Sequence, residues 1–213
     1  MKEITFNKFN NNRKQFLTSN KNADHVVKEG TNNILISAPH GVPQVRLGKY
    51  KCHELGSVAT ALHLKTCCDN CYFIAKTKCN NDDANFDEVS PYKNTIRKLI
   101  KEKNIKFVID FHGLASHREC DVNLGVHFGE NIKNDVATFD LLNNMLVSSG
   151  FVVSIDQPFM AGTRTICGSL IDEFEDIWVL QIEINCGITN NPKNFEKNKK
   201  LLSVFESWIN QIK

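Results

Sequence analysis

No segment of the 213 residues approaches the ~20 consecutive apolar residues that a membrane-spanning helix requires. The opening stretch, MKEITFNKFNNNRKQFLTSNKN, also lacks an apolar run of signal-peptide length, so the expected compartment is the cytoplasm and no membrane partner is expected. An excess of one charge is missing too. With 26 Lys and Arg against 24 Asp and Glu, mixed along the chain, there is no clustered basic face, and a nucleic-acid partner is not expected. The lysines of KNFEKNKKLL (193–202) read instead as the solvated face of an amphipathic helix. Eight cysteines are present, but without an export signal they argue for free thiols rather than a disulfide framework. CDNC (68–71) has zinc-knuckle spacing but no second pair, because Cys52 and Cys79 are single, so it reads as a turn. The competing reading is a non-catalytic metal- or thiol-based sensor built on segment 52–79.

No repeat, linker or shift of composition divides the chain, and its length suffices to bury a core without staples. Residues 1–30 are polar and Asn/Lys-rich, and are expected to form an irregular N-terminal arm or edge structure, ahead of a single domain over 31–213. Short apolar runs predict strands at NILIS (33–37), CYFIAKT (71–77), IKFVIDF (105–111), VNLGVHF (122–128), FVVSI (151–155) and WVLQIEI (178–184). Amphipathic segments predict helices over 54–67, 90–103, 134–150 (closed by Gly150) and 191–213 (opened by Asn191-Pro192). Strands alternating with helices predict an α/β domain of three layers, α/β/α. VNLGVHF follows IKFVIDF too closely for a helical crossover, so the sheet should be mixed, though largely parallel.

Open α/β sheets place their sites beyond the carboxyl ends of the strands. Those exits carry metal-type residues: His40-Gly41 after the first strand, His112-Gly113 after the third, Glu183 near the end of the last, and Glu54 opening the helix after His40. Catalytic zinc usually takes three His/His/carboxylate ligands and leaves a fourth position for water. Asp110, two residues before His112, is placed to accept the second ring N–H of a ligand histidine. The other histidines lack this context: His25 is in a polar segment, His63 on a helix, His117 in a loop and His127 in a strand. His53 is a rival because it adjoins Glu54.

The stretches SAPHGV, HELGS, DDANFD, DFHGLA, DVNLGVHFG, QPFMAGTRT and LQIEIN follow one another in the order found in the N-formylglutamate amidohydrolases, which the chain resembles from residue 34 to about 190. The resemblance implies the zinc carboxypeptidase-like fold and one zinc per chain held by His40, Glu54 and His112. It implies Glu183 as catalytic acid/base, and Arg164 at the substrate carboxylate or developing oxyanion, with Arg118 as a second candidate. Asp83 then supports the metal ligands and Asn85 contacts substrate. Where the family commonly has arginine, Phe86 follows Asn85, so carboxylate recognition is either supplied elsewhere or different. The implied reaction is hydrolysis of a C–N amide bond in a small acylated amino acid or short peptide.

Overall fold

The structure, a computed structural model, describes residues 4–212. In chain order it contains helix α1 (Phe6–Ser19), strands β1 (His25–Lys28) and β2 (Ile34–Ala38), hairpin strands β3 (Gln44–Arg46) and β4 (Lys49–Lys51), α2 (Leu55–Cys67), β5 (Tyr72–Lys76) and α3 (Pro91–Lys103). Strands β6 (Phe107–Leu114) and β7 (Val122–Gly125), a 3-10 turn (His127–Ile132), α4 (Val136–Ser148), β8 (Val153–Ile155) and α5 (Ile166–Ile171) follow. The chain continues through β9 (Trp178–Asn185), the one-turn α6 (Cys186–Thr189), a second 3-10 turn (Pro192–Asn194) and α7 (Phe195–Ile209).

Seven strands form one sheet in the order β1-β5-β2-β6-β9-β7-β8. Strands β5, β2, β6 and β9 run parallel, whereas β1 is antiparallel to β5 and β7 is antiparallel to β9. This is the mixed, largely parallel α/β sheet expected.

Local chemistry sets the helix ends. Ser90 accepts a hydrogen bond from Lys93 N (3.1 Å) ahead of Pro91, and Asp135 accepts one from Thr138 N (3.0 Å), so α3 and α4 each begin at a side-chain cap. Gly150, at φ 81°, takes the left-handed conformation just past α4. Two expectations are corrected. Residues 6–19, expected within an irregular arm or edge structure, form a helix: Thr5 caps it and Phe9, Arg13 and Phe16 make one buried face, while β1 in the same segment is an edge strand of the sheet. The Asn-rich background conceals that spacing. The strand predicted over 122–128 stops at Gly125, because Asp156 accepts hydrogen bonds from Val126, His127 and Phe128 N and bends the backbone into a turn. His127 and Phe128 there have φ of 49° and 56°.

Strand alternation divides the interior into two layers. Ile34, Ile36, Phe107, Ile109, Phe111, Leu180 and Ile182 pack against α2, α4 and α7, where Phe111 meets Phe205 edge-on at 5.5 Å. Leu35, Val108 and Val179 face α3 and α5. On that second face the pattern changes along each strand. Val108 is followed at the same parity by Asp110 and His112, and Val179 by Gln181 and Glu183, all buried. The carboxyl-terminal half of one sheet face is therefore polar, and the apolar layer behind it carries the stability. Phe205→Ala removes a fully buried ring from α7, distant in sequence from the polar half. It is expected to lower unfolding free energy by about 3–5 kcal/mol, read as a shifted urea midpoint.

Candidate metal centre

The adjacent strands β2, β6 and β9 deliver the side chains. His40 follows the end of β2, His112 lies on β6, and Glu183 is paired in register with His112 on β9. Glu54 is the N-cap residue of α2, yet its side chain makes no capping bond. Its carboxylate instead reaches β6, where Oε2 accepts a hydrogen bond from Gly113 N at 2.8 Å. A Cβ at residue 113 would meet Glu54 Cβ at 3.0 Å, so this glycine makes room for a protein carboxylate rather than for a turn. Glu54 N also donates to His40 O (2.8 Å), tying the start of α2 to the segment after β2.

His40 Nδ1 lies 3.2 Å from His112 Nδ1. Glu54 Oε1 is 2.9 Å from the first of these atoms and Oε2 is 3.5 Å from the second. Both rings turn their other nitrogen to a fully buried carboxylate: His40 Nε2 is 3.0 Å from Asp83 Oδ1, and His112 Nε2 is 2.8 Å from Asp110 Oδ2. Those carboxylates are anchored in turn, Asp83 by Arg46 Nε (2.7 Å) and Asp110 by Ser37 Oγ (2.6 Å).

This donor set fits a zinc-type divalent cation. Two nitrogens bound tetrahedrally at about 2.0–2.1 Å stand about 3.3 Å apart, close to the separation of the two Nδ1 atoms. Carboxylates on both Nε2 atoms fix the tautomer that leaves Nδ1 lone pairs available. The metal-free electrostatics lead to the same place. Burial opposes charge on His40, but Glu54 and Asp83 outweigh it and raise its pKa to about 9. Burial likewise opposes charge on His112, and Asp110 and Glu54 raise its pKa well above the usual imidazole range. Two imidazoles facing at 3.2 Å cannot both point a proton at the other, while the carboxylates demand positive charge. A shared cation satisfies both demands.

The cluster opens into a pocket of about 310 Å³ that is also lined by Glu183, Gln181, Asn85, Phe86, Arg46, Lys51, Arg164 and the 158–162 loop. Glu183 Oε1 accepts from Gln181 Nε2 (3.0 Å), Gln181 Oε1 accepts from Asn85 Nδ2 (3.3 Å), and Asn85 Oδ1 accepts from Ile166 N (2.7 Å). Asn85 thus spends much of its amide on holding Gln181 and α5. Burial pushes the Glu183 carboxyl above the ordinary carboxylate range, and Glu54 adds to the effect. Arg164 stacks on Phe86 from one loop, its guanidinium carbon 5.3 Å from the ring centre, and Arg46 stacks on it from the hairpin at 4.7 Å. Two cations therefore meet on one aromatic ring at the pocket wall.

Arg118 and His53 are exposed and do not line this pocket. Cys68 and Cys71 are buried free thiols in the turn before β5, with burial raising the Cys68 pKa to about 12. Arg46, Lys51 and Gln181 went unnoticed in the sequence. Gln181 had a signal, since it shares strand parity with Glu183, but Arg46 and Lys51 lie in a hairpin that no apolar pattern announces.

No protein-family model matches the sequence, and no curated protein matches it in sequence. Solved structures do match in shape. A gene product of Agrobacterium tumefaciens superposes with a TM-score of 0.65 at 12% identity, over 94% of this chain and 99% of that one. N-formylglutamate amidohydrolase from Ralstonia eutropha gives 0.53 at 12% identity, over 89% and 99%. A metallo-carboxypeptidase from Burkholderia cenocepacia gives 0.53 at 11% identity, over 92% and 68%. The chain has the carboxypeptidase-like fold. Within that fold the cluster of His40, Glu54 and His112 stands at the carboxyl edge of the parallel strands, where open α/β sheets place ligands.

Asp110→Asn is expected to weaken zinc binding by about 10–100-fold while leaving the circular dichroism spectrum unchanged. His112→Ala should remove binding at this centre. Competition with a chromogenic chelator measures both.

Proposed function

We propose that the protein is a zinc-dependent amidohydrolase that cleaves a C–N amide bond in a small N-acyl amino acid or short peptide carrying a free carboxylate. The observation that carries this reading is the pair of Nδ1 atoms 3.2 Å apart beside Glu54, each ring backed by a buried carboxylate. The fold shared with an N-formylglutamate amidohydrolase and a metallo-carboxypeptidase supports it.

His40, Glu54 and His112 would hold the ion, with Asp83 and Asp110 orienting the two rings. A zinc bound there supplies Lewis acidity and lowers the pKa of a water towards roughly 7. The remaining work falls to side chains. Glu183, raised in pKa by burial, takes the proton of the attacking water on its carboxylate and returns it to the leaving nitrogen. Gln181, donating to Glu183 Oε1, keeps that carboxylate aimed into the pocket. Arg164 and Arg46, both stacked on the Phe86 ring and lining the pocket, receive the substrate carboxylate, and Arg164 steadies developing negative charge. The hydrogen bond to Asp83 uses Arg46 Nε alone, which leaves its Nη groups for an anion. The 158–162 loop closes one wall of the pocket and limits the access of bulk water.

Glu183→Gln keeps the hydrogen-bonding shape but loses the proton carrier. It is expected to lower kcat by about 10²–10⁴-fold with zinc content unchanged, measured by amide hydrolysis across a panel of N-acyl amino acids and α- or γ-linked dipeptides. Full activity in that variant, or in protein stripped of metal, would sink the proposal. Arg46→Ala should raise KM for carboxylate substrates about 10–100-fold, the worth of a charged hydrogen bond. With zinc kept saturating, because Arg46 also anchors Asp83, the corresponding carboxamides should be affected far less.

A further inference from the structure

A second set of metal-type donors lies at the far end of α2. His63 and Cys67 are four residues apart, on one face of that helix, and Glu206 comes from α7 packed beside it. One donor atom from each lies within 4.8 Å of the other two, and all three residues are half-buried. His63 Nε2 and Cys67 Sγ are 3.6 Å apart.

The geometry points to a second metal site, formed by His63, Cys67 and Glu206, that takes a zinc-class divalent cation. Nitrogen and sulfur bound tetrahedrally at about 2.0–2.1 Å and about 2.3 Å stand about 3.6 Å apart, which is the separation observed. A helix places residues i and i+4 on neighbouring turns of one face, so the pair is organised before any ion arrives. The mixed thiolate, imidazole and carboxylate set selects against calcium and magnesium, which prefer all-oxygen shells, and in favour of zinc or cobalt. Three protein donors in a half-buried position leave the fourth coordination place to water.

The site is separate from the one described above. Glu54 stands just before the first turn of α2 and Cys67 ends the last, about 20 Å apart at 1.5 Å per residue. Its ion joins α2 to α7, two helices of the same layer, so binding stabilises the folded chain in proportion to metal concentration. The sequence drew attention to CDNC, but Cys68 and Cys71 point into the core, and the neighbouring Cys67 finds its partners in a helical histidine and a distant glutamate.

Cobalt distinguishes the two sites because only this one contains sulfur. Metal-free, reduced full-length protein titrated with Co(II) should show a near-ultraviolet thiolate-to-cobalt charge-transfer band and take up a second equivalent of metal. Cys67→Ser and His63→Ala should each remove the band and that equivalent. His112→Ala should keep the band and lose the other equivalent. Glu206→Gln, a near-isosteric change, should weaken cobalt binding at this site without altering the fold. Absence of the band in the wild type, as a thiol–imidazole hydrogen bond alone would give, overturns the inference. So does a band that survives in Cys67→Ser, which would assign it to another cysteine. Neither result bears on whether His40, Glu54 and His112 bind metal.

Discussion

Two imidazoles held face to face, with a carboxylate beside them and another behind each, form an arrangement that the apolar core alone would not tolerate. His40 and His112 are almost completely buried, and Asp83 and Asp110 wholly so. Buried ionisable groups are costly unless each finds a partner. Here every member has one, through Arg46, Ser37, Gly113 N or a neighbouring ring. The surrounding architecture can be read as the means of holding this network: three parallel strands, a helix start and a loop converge within a few ångströms.

The stability that supports it comes from the other side of the sheet. Phe111 lies between Asp110 and His112 in sequence but points the opposite way, into the layer of α2 and α7. A single strand thus contributes an apolar anchor and two polar site residues by alternation alone. The loops are secured separately. Buried Lys76 bridges Asp24 and Asp82 at 2.8 Å each, and Asp82 O accepts from Val45 N, so the hairpin and the segment carrying Asp83 are joined at their base. Arg46 then extends that connection to the metal-type cluster itself.

Phe86 gathers charge from two separate segments of the chain. A ring cannot bind a carboxylate, but its face attracts guanidinium groups. Arg46 from the hairpin and Arg164 from the loop before α5 both meet Phe86, which assembles a cationic rim from two separate segments.

What the sequence determined by itself was local. Apolar runs, caps and alternation indicated most of the sheet and four of the helices, because burial and hydrogen bonding impose those periods directly on neighbouring residues. His40, Glu54, His112 and Glu183 were singled out because they stand at strand ends, where side chains emerge from the core. The helix of residues 6–19 was missed, since its three buried positions are diluted by asparagine, and the turn at residue 126 was missed because Asp156, thirty residues away, imposes it. Only the tertiary structure decided which candidates meet. It brought Arg46 and Gln181 to the pocket, left Arg118 and His53 outside, and set His63 and Cys67 against Glu206. Convergence depends on strand order and helix packing, and neither is encoded in the spacing of residues along the chain.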